Sequence, residues 1–226
     1  MRFRSTTGFY FNLFCALSIF SVNLACQKKK EASLLKEQTS ITEANSFFNK
    51  EVGGPVDSAT ANRWKRNRAL TLAKKAPSVN STRAFYLPAQ ALSSLIANNK
   101  VAGICFYFGN DANGSVHVVP VAVDNKGNVI TAASVATSNG TVTWEVAKNW
   151  RLDFKQQHPG SIWGHFWGSV AINRLLENNT ETVRVELGLS DEGVQQMMFS
   201  DAAIDEPVEY GDRTRSCPPF CPSDLL

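Results

Sequence analysis

Two stretches of the chain alternate with period two: Ile104-Cys105-Phe106-Tyr107-Phe108 and Val183-Arg184-Val185-Glu186-Leu187. That is the period of a strand, so Ile104, Phe106, Phe108 and Val183, Val185, Leu187 are expected to point inward. Arg184 and Glu186 then face outward. Cys105 and Tyr107 take those positions in the first stretch, so that face is expected to be covered. "GNDANGS" and "LSDEGV" follow as glycine-bearing turns, which predicts two β-hairpins. Pro120, within "VHVVPVAV", has no N–H to donate and predicts an edge strand or a bulge.

Upstream of each hairpin the apolar spacing becomes helical. Ala61 with Trp64, and Ala147 with Trp150 and Phe154, share one helical face. Asp57 and Thr143 are the expected N-caps, and the two tryptophans are read as core anchors. A second helix is expected before each hairpin. Pro88 suits its first turn in one half, and Asn98-Asn99 and Asn178-Asn179 end it, because Asn tolerates left-handed backbone.

The order of features is therefore the same twice. "AFYLPAQALSSLIANN" (84–99) aligns without gaps on "GHFWGSVAINRLLENN" (164–179), and "ANRWKR" (61–66) on "AKNWRL" (147–152). Pro77 and Pro159 follow the first helices. Ile104, Phe106 and Phe108 match Val183, Val185 and Leu187, while Gly109 and Gly114 match Gly188 and Gly193. An internal duplication is expected. The predicted fold class is α+β: two copies of a helix-helix-β-hairpin unit, with antiparallel sheet packed against helices and a pseudo-two-fold relation. The units span 56–125 and, with a connector, 126–201. Residues 202–226 are expected to form an extended tail.

The start of the chain bears on its location. Arg2 and Arg4 precede an apolar run from Phe9 to Ala25, which reads as a secretory signal over residues 1–25. The run is short for a stable membrane span and carries Asn12 and Asn23. Cys26 at its boundary resembles the lipidated cysteine of a bacterial lipoprotein, although Asn23 stands where an aliphatic residue is usual. Ordinary cleavage and an uncleaved anchor are the alternatives. Residues 26–55 then form a linker from the lipid anchor, with Phe47 and Phe48 of "SITEANSFFNKE" expected to dock on the body. Loss of Arg2 and Arg4 takes the net charge from +3 to +1, which argues against nucleic acid as a partner. The expected partners are the membrane, through the N-terminal lipid, and an envelope protein. Lys28-Lys29-Lys30 lies where acidic head groups or solvent would meet it.

Of five cysteines, Cys26, Cys105, Cys217 and Cys221 follow the signal. Cys217 and Cys221, in "RSCPPFCPSDLL", are read as a disulfide in an oxidising compartment. A zinc site would need ligands that three dispersed histidines do not supply, and thiol-redox motifs are spaced C-x-x-C. Cys105 is read as a buried structural thiol.

No serine-nucleophile elbow, H-E-x-x-H, phosphate loop or dinucleotide motif occurs, so no catalytic residue, metal site or cofactor is expected. One aromatic cluster stands out: Trp163, His165, Phe166 and Trp167 in "IWGHFWG". These are possible ligand contacts for a sugar or peptide, set against a packing role shared with "RAFYLP" in the first copy. The lipoprotein-like start, the "GICFYFG…VVPVAVDNKGN" hairpin and the "CPPFCP" ending together resemble small uncharacterised lipoproteins of Bacteroidetes-type bacteria. That resemblance implies a lipid-anchored place in the cell envelope and no particular activity. The expected function is a membrane-tethered, non-catalytic binding or structural module. The alternative is a small envelope enzyme or glycan or peptide binder using an aromatic groove at 163–167.

Overall fold

Both expected helix starts carry their caps. Asp57 accepts a hydrogen bond from the Thr60 N–H at 2.8 Å, at the start of helix α1 (Ser58–Lys75). Thr143 accepts one from the Val146 N–H at 3.4 Å, at the start of α3 (Trp144–Gln157). In this computed structural model, the described residues are 47–75, 84–177, 179–205, 209–212, 214–219 and 221–222. All belong to one compact unit that spans 45–226. The expected signal segment and Cys26 lie outside the described residues.

Strand β1 (Gly54–Asp57) leads into α1. Then come β2 (Ala84–Pro88), α2 (Ala89–Ile96), β3 (Val101–Asn110) and β4 (Val116–Asp124). The connector holds a small hairpin, β5 (Ser134–Thr137) and β6 (Gly140–Thr143), before α3. After α3 follow β7 (Gly164–Gly168), α4 (Ser169–Leu176), β8 (Thr182–Leu189) and β9 (Gln195–Asp201). Short strands β10 (Glu209–Asp212) and β11 (Arg215–Cys217) close the described chain.

Two sequence expectations change. The unit was expected to run helix, helix, hairpin, yet "AFYLP" and "GHFWG" are strands inserted between the helices. The reason is tertiary: β2 pairs with β8 and β7 with β3, far along the chain, so no local hairpin signal marks them. Pro88 and Gly168 stay in the extended region and act as the N-caps of the short helices that follow. The tail also differs, because residues 209–212 and 215–217 each enter a sheet. β10 pairs with β1 and β9, and β11 with β7.

The sheets are antiparallel. One has the order β1-β10-β9-β8-β2, the other β11-β7-β3-β4. Each main hairpin is therefore completed by a short strand from the opposite half of the chain. Helix packing crosses in the same way, with α1 on β8 and α3 on β3. β4 is an edge strand, which is why Pro120 fits opposite Phe106 without a missing donor inside the sheet.

The main core lies between the sheets. Ile104, Phe106 and Phe108 meet Val183, Val185, Met197 and Phe199, and Leu92 and Ile172 from the short helices close it. The Phe106 and Phe199 rings are 4.6 Å apart. Cys105 and Tyr107, on the other side of β3, pack with Phe47, Phe48, Phe166 and Ala147. β3 is thus buried on both faces, as expected from Cys105 and Tyr107 on its second face, whereas Arg184 and Glu186 on β8 keep partial exposure. The docking expected of Phe47 and Phe48 is present: both are buried, and the Phe48 ring meets Phe166 edge-on at 5.1 Å. Cys217 and Cys221 stand at disulfide distance, with Cα atoms 4.9 Å apart, and the Trp163 backbone N–H donates to the Cys217 carbonyl at 2.6 Å.

One contact occurs on both sides of the molecule. A Cβ added at Gly109 would sit 2.9 Å from the Cβ of Trp150, and one added at Gly188 would sit 2.8 Å from the Cβ of Trp64. In each case a helix backbone lies just beyond, so the strand cannot take even a methyl without displacing the helix. Gly109→Ala and Gly188→Ala should each lower stability by about 1–3 kcal/mol, the usual cost of overpacking. Urea unfolding with an unchanged m-value would read this as a lower midpoint. Two neutral substitutions would show that the helices yield freely.

Candidate functional site

The strand β7 carries the aromatic cluster. His165, Phe166 and Trp167 are buried, while Trp163, just before the strand, is half-buried. Alternation along β7 divides them. Phe166 joins Cys105 and Tyr107 in the outer cluster, and Trp167 enters the inter-sheet core. Trp163 touches both, with the Lys155 ammonium 4.7 Å from its ring centre. The four side chains therefore form no single open stacking face. Of the four, Trp167 alone lines the hollow described next.

That hollow, of about 190 Å³, lies where the end of β7 and α4 meet β1, β9 and β10. Its floor is the indole of Trp167, stacked on Phe199 at 4.4 Å and 12° between planes. Gly53 and Gly211 fit against the indole, and a Cβ at either would collide with it. Gly53 also has a φ of +102°, which favours glycine independently. Apolar walls come from Pro55, Ala171, Leu175 and Ile204. Ile204 is 48% exposed, high for a large apolar side chain.

The polar groups are unevenly committed. Asp201 accepts from the Thr180 hydroxyl at 3.1 Å and from the Ala203 N–H at 2.8 Å. The Ser200 hydroxyl accepts from the Arg184 Nε at 3.2 Å, and the Tyr210 hydroxyl accepts from Lys65 at 2.9 Å. Arg174 lies exposed at the rim and makes no ion pair among the described residues. Among the described residues, the hollow thus offers an aromatic floor, aliphatic walls and one positive charge without an ion pair.

Apart from Trp167, none of these residues was singled out from sequence. They come from five separated segments, so no local motif joins them. A partial signal existed in the gapless alignment of 84–99 on 164–179: Trp167 stands opposite Leu87, and Arg174 opposite Ser94.

The other reactive side chains have packing roles. His117 bonds through Nε2 to Asp111 at 3.0 Å and stacks on Trp150 at 4.8 Å. That bond, with those from the Ser115 and Asn113 N–H groups, holds the Asp111 carboxyl below its usual range. His158 caps α3 and packs on Phe154. The buried guanidinium of Arg151 lies 5.0 Å from the Tyr107 ring centre and 4.9 Å from that of Trp144, an arrangement of cation–π contacts. Among the described residues, no three His, Cys, Asp or Glu side chains are grouped to hold a metal ion. Nor is any described helix long and apolar enough to cross a membrane.

Among the described residues, His165 has one ring bond, Nδ1 with the Thr214 hydroxyl at 2.9 Å, and its Nε2 has no partner. Burial disfavours the charged ring and lowers its pKa from 6.5 to about 3. The unfolded chain therefore binds a proton that the folded chain refuses between those values. This contribution to stability is whole above pH 6.5 and is lost as pH falls toward 3. His165→Phe should flatten the wild-type slope in that window by up to about 1.4 kcal/mol per pH unit. Parallel pH–stability curves for the two proteins would mean that the ring protonates in the fold.

Comparison of the chain with family models, with curated proteins and with solved structures finds no match.

Proposed function

We propose that this protein is a non-catalytic binding module of the bacterial cell envelope, held at a membrane by a lipid on Cys26. The hollow floored by Trp167, with Arg174 uncommitted at its rim, carries the binding part of this reading. Floor and walls are mainly apolar with few polar groups, the usual composition of a ligand site. The non-catalytic part draws on the histidines. Each already serves packing, a turn or a helix cap, which leaves none positioned as a base beside the hollow. The membrane part rests on the sequence alone: an apolar leader behind Arg2 and Arg4, a small residue before Cys26, and a basic linker. The partner is an envelope protein.

The scaffold in this reading is a duplicated unit with a pseudo-two-fold relation. Several observations support it. The order helix, strand, helix, strand, strand occurs twice. β2 and α2 (84–96) align without gaps on β7 and α4 (164–176). The hairpin turns share their bonds: Gly114 donates to Asp111 O and Gly193 to Ser190 O, and Asp111 and Ser190 donate to Ser115 O and Val194 O. The glycine–tryptophan contacts are exchanged between halves. On this alignment the polar residues at the hollow have mostly apolar counterparts. Thr180, Ser200 and Asp201 correspond to Val101, Val121 and Ala122. One copy thus keeps a packed end where the other has a polar-edged hollow.

Intact mass of protein extracted from membranes of its native host tests the tether. The expected species begins at Cys26 and is heavier by a lipid, and reduction adds the two hydrogens of one disulfide. An unlipidated chain with free thiols would remove the envelope from the proposal.

A further inference from the structure

We infer that the hollow takes the C-terminal apolar residue of a polypeptide, with the terminal carboxylate on Arg174. This deepens the binding reading given above and rests on it. Size limits the occupant first. A volume of about 190 Å³ lies below the range of roughly 300–1,000 Å³ for a drug-sized ligand. It suits one large side chain and not a sugar chain or nucleotide. The lining then sets the chemistry. Trp167, Leu175, Ile204 and Pro55 favour an aromatic or branched aliphatic group.

Charge gives the third limit. Arg174 and Asp201 are the charged residues of the lining, and they are not equivalent. Asp201 already has an acceptor bond on each oxygen, from Thr180 and Ala203, and holds the turn after β9. Arg174 has no acidic partner among the described residues and offers a planar fork that matches a carboxylate. A carboxylate on an apolar group answers both features together.

The position of the hollow favours a polypeptide over a free acid. β1 is an edge strand of the five-stranded sheet, and its Gly54 and Pro55 form part of the lining. The rest of a bound chain can therefore run along a strand edge, the mode by which extended peptides add to sheets. A free acid would leave that edge unused.

Incorporation of 5-fluorotryptophan into the full chain gives a direct readout, with the Trp167 signal assigned through Trp167→Phe. Three probes are titrated: an acetylated pentapeptide ending in Phe with a free carboxylate, the same peptide as its C-terminal amide, and 3-phenylpropionate. The free-carboxylate peptide is expected to shift the Trp167 signal and to bind about tenfold or more tightly than the other two. Arg174→Gln, at an exposed position, should remove the preference over the amide and leave the thermal midpoint unchanged. Ile204→Ala should weaken peptide and amide alike. Equal binding of peptide and amide, unaffected by Arg174→Gln, would overturn the carboxylate assignment and leave the site standing. Equal binding of 3-phenylpropionate would overturn the polypeptide assignment. If neither these probes nor a set of fragment-sized compounds moved the Trp167 signal, the binding reading itself would fail with it.

Discussion

The pairing of β7 with β3 is the constraint on which most of this structure depends. It requires two backbones to approach with little between them, and glycines make that possible. A Cβ at Gly103 would come within 2.8 Å of the Gly168 Cα, and one at Gly164 within 2.7 Å of the Phe106 carbonyl oxygen. Gly103 lies opposite Gly168, and Tyr107 opposite Gly164, so the ladder has glycine at both ends. The register sends Phe166 to one face and His165 and Trp167 to the other. A slip of one residue would put Trp167 in the outer cluster and remove the floor of the hollow.

Several peripheral parts are fastened to that pairing. β11 adds to the free edge of β7 and places Cys217 opposite Gly164. The segment around Lys50 and Val52 crosses the start of α4, where the Lys50 and Val52 carbonyls accept the N–H groups of Val170 and Gly168. These are unsatisfied donors at a helix N-terminus, so the crossing meets a need that α4 could not meet alone. Phe47 and Phe48 then pack on Phe166. The same crossing brings Gly53 against Trp167 and leads into β1, so the described start of the chain completes the hollow.

The exchange of strands and helices between halves bears on stability as well as shape. Neither hairpin has its full sheet, its helix or its sealed core without the other half. Unfolding of one half would expose Ile104, Phe106 and Phe108 or Val183, Val185 and Phe199 to water, each worth about 1.5–3 kcal/mol when buried. A cooperative, all-or-none transition follows from that sharing. The His165 ring sits buried inside this shared structure, and its Nε2 has no partner among the described residues, so a charge there would be poorly solvated.

The sequence by itself determined what depends on near neighbours. Alternation in "ICFYF" and "VRVEL" gave two strands and their inward faces, because side-chain direction in a strand follows from period two. Asp57 and Thr143 announced helix starts through their acceptor oxygens, and Asn179 adopts the left-handed backbone expected after α4, at φ 56°, whereas Asn98 and Asn99 after α2 do not. Cys217 and Cys221 were close enough in the chain for their pairing to be readable. What only the tertiary structure decided depends on distant partners. "AFYLP" and "GHFWG" are strands because of β8 and β3, and "RSC" is one because of β7. The hollow could not be read, since Pro55, Trp167, Arg174, Asp201 and Tyr210 lie on five elements that meet through sheet order and helix packing. Charge and apolarity are written residue by residue, but a binding site is a coincidence of positions, and only the folded chain supplies those.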